Sequence, residues 1–519
     1  MKNLTFKKTV SIVLAVIILF AMTVPAFSRS EPDVPLICIL GIGAVPLVAN
    51  SGTDNEYNVF PPGSESIKGI GNQLGNILAG IGSTRALFST INSFLLPIAC
   101  DEAGNPIDST TDAIKYPKSL AFYDDDVLRY NYARAYGSLT GERIGWDNVY
   151  VFTLDWRLDA KALADELSAY IENVKAEKGV DKVNIVASSM GAVVMLTYIT
   201  EYYSEAVSSL NNLVFLSPAI MGTSLAGELL SGKFRITAAG VAGIVNDLTA
   251  GANPFIGLLA GLFTDTFLWG AKQMGLSTNR QLEQLKDDFY EYTAPLAANF
   301  LGLWNLVPTE YIDDALAFMF PNGVNTELKA KVDYYLDVRS NAEATITNIM
   351  SDGVRVSIVS NYDKQMLPVI ENDKVQSDMI IDTRYTSFGA TCADIGKTFP
   401  SDYTQKIALP NNHLSPDRVI DASTCMFPEI TWFIKGLSHT DYNINEEPVK
   451  LIMWLLAADE QKTVFSSEEF PQFLSFNKAN GKMVPTAVQS GRPFSDIGSF
   501  FRHLIQILRS IVNKILGLY

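Results

Sequence analysis

The stretch Val183-Asn-Ile-Val-Ala-Ser-Ser-Met-Gly-Ala-Val-Val-Met-Leu196 sets two serines between an apolar run on the left and a second apolar run on the right. The left run is rich in Val and Ile, as a strand covered on both faces would be. The right run continues to Tyr203 with helical spacing. A serine at the tip of a sharp strand-to-helix turn needs small residues two before and two after it, because neighbouring backbone approaches closely there. Framed on Ser189, those positions are Ala187 and Gly191. Framed on Ser188, they are Val186 and Met190, which are too large. Ser189 is therefore the candidate nucleophile.

Similar β-type runs recur at 35–40, 148–154, 182–188, 212–218, 354–360 and 431–436. Between the second and third, Leu163, Leu167, Tyr170, Ile171 and Val174 share one helical face, and Gly179 follows as a C-terminal cap. Strand, helix, strand, helix in this order predicts an α/β fold with a mostly parallel sheet and right-handed crossovers. Residues 220–336 differ. They are rich in Ala, Gly and Leu with few β-branched clusters, which predicts a helical cap inserted over the sheet, and Asp265 interrupts its most apolar part. The expected division is thus 29–219 and 337–492 for the two parts of the core, with the cap between them.

Both ends of the chain read separately. Lys2, Lys7 and Lys8 precede an apolar run from Ile12 to Met22, and small residues stand at the −3 and −1 positions of a cut after Ser28. Residues 1–28 read as a secretory signal peptide, so the protein is expected to be secreted or held at the cell envelope. The formal charge of −16 becomes −16 − 3 = −19 once those three lysines are removed. So acidic a chain is a poor partner for nucleic acid, which needs clustered basic side chains. At the other end, residues 493–519 place Phe500, Leu504, Leu508, Ile511 and Ile515 on one face and Arg502, Arg509 and Lys514 on the other. Such a basic amphipathic helix suits either a membrane interface or a docking site on the protein's own surface.

A serine hydroxyl needs a base, and only His413, His439 and His503 are offered. His503 belongs to the terminal helix. In the chain order serine, acid, histidine, the base comes last, and His439 follows the final expected strand. The acid lies among Asp363, Asp373, Asp417 and Asp421, and spacing does not choose between them. Asp363, just past a strand end, is the geometric default, with Asp417 its competitor. The four cysteines, Cys38, Cys100, Cys392 and Cys425, fit no zinc pattern and permit three disulfide pairings. Asp124-Asp125-Asp126 lacks the spacing of a calcium loop. No cofactor or metal is expected. Arg157 reads as a brace for the sheet edge, while Trp156 is equally placed to line a pocket or to brace.

In order, Asp155-Trp-Arg-Leu158, Val186-Ala-Ser-Ser-Met-Gly-Ala192, Leu303-Trp-Asn-Leu-Val-Pro308, Ser415-Pro-Asp-Arg-Val-Ile-Asp-Ala-Ser-Thr-Cys425 and Ser438-His-Thr-Asp-Tyr442 resemble the lecithin:cholesterol acyltransferase family of α/β-hydrolases. The resemblance spans about Pro35 to Asp441. It is weak in the cap and absent from the terminal helix. It implies an α/β-hydrolase fold and Asp417 as the acid, with Val419 and Ile420 at the apolar positions after it. It also implies a Cys392–Cys425 bridge, and an oxyanion site built from the Met190 and Ile42 amides. The chain departs from the family at Ala187, Ser188 and Leu40, where glycine, histidine and proline are usual. The expected activity is that of a serine esterase, lipase or O-acyltransferase passing through an acyl-enzyme, acting on a lipid or other acyl ester, with membrane contact through the terminal helix. A peptidase or amidase on the same triad, and a silent binding protein on the same scaffold, are the rival readings.

Overall fold

The computed structural model describes residues 34–487, apart from stretches of 64–81, 125–143, 234, 236–277 and the single positions 368, 373, 444 and 479. The signal peptide, the terminal helix with His503, the central part of the cap with Asp265, Asp125, Asp126 and Asp373 all lie outside the described residues.

Eight strands form the main sheet: β1 (Leu36–Ile39), β2 (Val149–Phe152), β3 (Val183–Ser188), β4 (Leu210–Leu216), β5 (Arg355–Tyr362), β6 (Thr431–Lys435), β7 (Phe473–Asn477) and β8 (Lys482–Pro485). Their spatial order is β8-β7-β6-β5-β4-β3-β1-β2. Every pairing is parallel except the final β7–β8 hairpin. All six expected runs are strands. The order reverses at β1, which sits between β2 and β3, and such a switch point opens a crevice at the carboxyl ends of the strands.

The helices follow from local sequence. α1 (Ala160–Lys178) starts at Asp159, whose carboxylate accepts from Ala162 N–H, and stops at Gly179 in the left-handed region at φ 67°. Of its expected face, Leu163, Leu167, Ile171 and Val174 are buried and Tyr170 is half-buried. α2 (Met190–Glu201) is buried from Met190 to Ile199, with α1 on one flank. α3 (Ser224–Leu230) and α4 (Ile312–Met319) lie in the expected cap, where the elements among the described residues are all helices joined by turns. α5 (Thr326–Ser340) runs across position 336 and packs on α2, as does α6 (Ala342–Ser351). α7 (Glu446–Leu456) packs against β4. Among the described residues no helix is long and apolar enough to cross a membrane.

The expected Cys392–Cys425 bridge is not formed. All four cysteines are thiols, and burial pushes that of Cys392 up to about 12. The segments that carry Cys392 and Cys425 are held together by other means. Thr391–Cys392 pairs antiparallel with Ile420–Asp421, and the Thr424 hydroxyl accepts from Thr391 N–H at 2.8 Å while donating to Gly389 C=O at 2.9 Å. Around these lies a small apolar cluster of Tyr362, Val419, Ile420, Phe433 and Phe473.

Candidate functional site

Ser189 sits at the carboxyl end of β3, on the first residue past the strand, with φ 53° and ψ −125°. A non-glycine residue held in so sparsely populated a region costs about 1–3 kcal/mol, so the surroundings must enforce it. They do so through the backbone. Ser189 N–H donates to Leu216 C=O at 3.2 Å, and Ser189 C=O accepts from Ala219 N–H at 3.0 Å and from Ala192 N–H at 3.1 Å. The steric rule that selected Ser189 is visible in the packing. A Cβ on Gly191 would lie 2.6 Å from the Ile39 carbonyl oxygen, so α2 can approach β1 only with glycine there. Ala187 is wholly buried between Ile39 of β1 and Phe215 of β4.

Gly41, in the turn after β1, faces the serine directly. A Cβ there would lie 2.7 Å from Ser189 Cβ, 3.0 Å from its hydroxyl oxygen and 3.7 Å from Met190 N. The turn is closed by Ala44 N–H on Gly41 C=O at 3.3 Å, with Gly43 at φ 66° and Ile42 half-buried between them. Met190 opens α2, so its N–H has no acceptor within the helix.

His439 lies in the loop beyond β6, on the same edge of the sheet as Ser189, since β3 and β6 run parallel with β4 and β5 between them. Its Nδ1 pairs with Asp378 Oδ2 at 2.7 Å, and its N–H donates to Asp378 C=O at 2.8 Å. The other carboxylate oxygen of Asp378 accepts from Ile380 N–H at 3.0 Å and Ile381 N–H at 2.8 Å. Asp378 is fully buried, whereas the His439 side chain is 13% exposed. A carboxylate acceptor at this distance places the proton on Nδ1 and leaves Nε2 without one in the neutral ring. The loop is held from the far side too: Asp441 accepts from Ser438 N–H at 2.8 Å and pairs with Lys478 at 3.0 Å.

Asp417, the acid implied by the family resemblance, is elsewhere engaged. Its Oδ2 pairs with Lys435 Nζ at 2.8 Å and accepts from the Tyr362 hydroxyl at 3.1 Å, while Oδ1 accepts from Ser415 at 2.7 Å. Lys435 ends β6, and its charge draws this carboxylate to the strand instead of to the loop beyond. Asp363, the geometric default, also faces Lys435, at 3.6 Å. Burial raises the Asp363 carboxyl above its ordinary range, and Lys435 only partly offsets that. Asp421 is bound by Ser423, Tyr403 and Lys406 N–H. His413 is buried against Gln472, with Nδ1 to Oε1 at 2.8 Å. The carboxylate on His439 is thus one that sequence reasoning had not considered.

The roots of the cap are tied to each other and abut Met190 and Trp156. Thr223 N–H donates to Leu306 C=O at 2.8 Å, and Ser224 donates through N–H at 2.9 Å and hydroxyl at 2.6 Å to the buried Asp382 carboxylate. Gly302 abuts both the Trp156 carbonyl and the Met190 side chain, where a Cβ would not fit. Trp156 packs its ring against Phe60 and Phe300 at centroid distances of 5.8 and 5.3 Å. Arg157 is the expected brace. Fully buried, it reaches Asp155 at 2.9 Å and the carbonyls of Ile98 at 3.1 Å and Thr111 at 2.8 Å. Burial alone would lower its pKa, but the Asp155 carboxylate outweighs that and raises it.

Among the described residues no group of three or more His, Cys, Asp or Glu side chains is placed to hold a metal ion. No family model matches the chain, and no curated protein matches it. The mostly parallel sheet flanked by helices is a mixed α/β fold consistent with the broad α/β-hydrolase superfamily.

Proposed function

We propose that the protein is a serine ester hydrolase or acyltransferase in which Ser189 is the nucleophile, His439 the base and Asp378 the acid. The observation that carries this reading is the His439–Asp378 pair on the sheet edge from which Ser189 projects at a strained turn. Ser189 Oγ attacks the ester carbonyl as His439 Nε2 takes its proton. The imidazolium, held by Asp378, returns that proton to the leaving alcohol, and water or a second alcohol then releases the acyl group. The Met190 amide, as the first N–H of α2, and the Ile42 amide, in the turn that meets Ser189 through Gly41, are the proposed oxyanion donors. One such donor typically contributes about 3 kcal/mol in the transition state.

A lipid-like acyl ester is the proposed substrate class. It is supported by the apolar composition of the cap and by the sequence resemblance to lecithin:cholesterol acyltransferases, although the acid in this reading is Asp378 and not the position that resemblance implied. Export through residues 1–28 and contact with a lipid surface through 493–519 complete the proposal. The test is hydrolysis of short- and long-chain p-nitrophenyl esters by the mature protein and by Ser189→Ala, with and without anionic liposomes. Turnover that disappears in Ser189→Ala supports the reading, and a rise with liposomes supports a lipid surface. Full activity in Ser189→Ala overturns the reading.

A further inference from the structure

The backbone clamp on Ser189 and the histidine loop are joined through one side chain. The segment that holds Ser189 runs from Leu216, which accepts its N–H, to Ala219, which donates to its C=O. Between them lies Ser217, buried and itself at φ 43°. The Ser217 hydroxyl accepts from Asn361 Nδ2 at 3.2 Å, and Asn361 Oδ1 accepts from the hydroxyl of Tyr442. Tyr442 is fully buried in the short turn just beyond His439. The Asn361 carbonyl also accepts from the Thr383 hydroxyl at 2.7 Å, in the segment that follows Asp378. Asn361 has no solvent exposure, and both ends of its amide are used.

A buried asparagine that only supported the sheet would bond to neighbouring strands. Asn361 instead binds one side chain that borders the serine clamp and one that borders the histidine. These contacts span β4, β5 and the loop beyond β6, the three places whose relative position sets the distance between hydroxyl and imidazole. We propose that Asn361 is a positioning residue that fixes the register of Ser189 against His439, which rests on the reading of those two as nucleophile and base. Catalytic groups must be held within about 0.5 Å of the productive geometry, and a 1 Å misplacement costs about a hundredfold in rate.

The test uses the full mature chain and an aryl fluorophosphonate, whose reaction with Ser189 needs the base but no particular acyl pocket. The rate at saturation and the half-saturating concentration are measured separately. Asn361→Ala should lower the saturating rate by about thirty- to a hundredfold with the half-saturating concentration unchanged. Tyr442→Phe keeps the ring and removes the hydroxyl, and should lower the rate about tenfold, because it frees one end of the link and so allows a smaller displacement. The double variant should be no slower than Asn361→Ala, because both changes cut one link. A wild-type rate in Asn361→Ala, or losses that multiply in the double variant, overturns the proposal. If Asn361→Ala does not fold, Tyr442→Phe decides: a wild-type rate overturns, a loss at constant half-saturation supports. A folded wild-type protein that takes no label removes the reading of Ser189 and this proposal with it. Labelling at Ser189 that neither variant slows removes the positioning role alone.

Discussion

Asp378 and His439 are joined twice, by carboxylate to imidazole at 2.7 Å and by backbone carbonyl to backbone amide at 2.8 Å. The double contact fixes the imidazole's position and tautomer together, and it sets Asp378 apart from Asp417, the acid that the family resemblance implied. Asp378→Asn should lower the rate of ester hydrolysis by about 10⁴-fold, because the amide favours the wrong tautomer. Asp417→Asn should leave that rate within a few-fold. It should instead cost about 2 kcal/mol of stability, the scale of a lost hydrogen bond to a charged group. Rates and denaturant midpoints measured on both variants decide, and the assignment of Asp378 is wrong if the two results are interchanged.

Gly41 and Gly191 are glycines for different steric reasons, and alanine should report the difference. At Gly41 the new methyl meets the Ser189 side chain, with Cβ to Cβ at 2.7 Å. Rotation about χ1 moves the Ser189 hydroxyl but not its Cβ, so the backbone of the turn must shift as well: activity should fall about a hundredfold and stability by about 1–3 kcal/mol. At Gly191 the methyl meets the Ile39 backbone oxygen at 2.6 Å, which cannot turn aside. Gly191→Ala should therefore destabilise by about 1–3 kcal/mol, read as a lower denaturant midpoint.

The contrast between Ser189 and Asp378 shows what a linear reading can reach. The strained turn at Ser189 was legible because its constraint is local: residues two before and two after must be small, and Gly191 meets that demand against Ile39. The carboxylate was not, because it depends on how residues 363–430 fold between β5 and β6. Asp378 is followed by Met379-Ile380-Ile381 and Asp417 by Arg418-Val419-Ile420, so both have an acid leading into an apolar pair. The Lys435 charge at the end of β6 captures Asp417, and that contact is invisible along the chain. β7 and β8 were missed for a simpler reason. Their signal, Asn480-Gly481 between short alternating runs, is a hairpin turn with Gly481 at φ 65°, and it was available.

Arg339 is a buried cation whose hydrogen-bond partners among the described residues are all neutral. It donates to the carbonyls of Ile220 at 2.8 Å, Val307 at 2.6 Å and Asn305 at 2.7 Å. Ile220 stands just after β4, and 305–307 is where the chain returns to the sheet from the cap, so one guanidinium joins both roots of the cap. Arg339→Met keeps the apolar stem and takes the guanidinium from the Val307 and Asn305 carbonyls, while Ile220 keeps the Tyr335 hydroxyl at 3.1 Å, for an expected loss of about 3 kcal/mol in urea unfolding. Arg339→Lys should recover little, since a single ammonium cannot span the same three acceptors.

Asp363 offers a pH test in which the sign is fixed in advance. Burial raises its folded carboxyl pKa, the nearby Asp417 charge adds to that, and Lys435 offsets part of it. A carboxyl with a raised folded pKa contributes stability that is fully present below its unfolded value near 3.8 and is lost as pH rises through the folded value. At neutral pH the ionised Asp363 is therefore a liability to the fold. Asparagine removes the charge and tolerates the left-handed backbone that Asp363 adopts at φ 67°. Asp363→Asn should melt higher than wild type at pH 7, and its advantage should shrink as pH falls through the carboxylate range, where the wild-type side chain becomes neutral as well. Thermal melts of both proteins from pH 7 to pH 4 measure this. A variant that melts lower at pH 7 would mean that the attraction of Asp363 to Lys435 outweighs its burial.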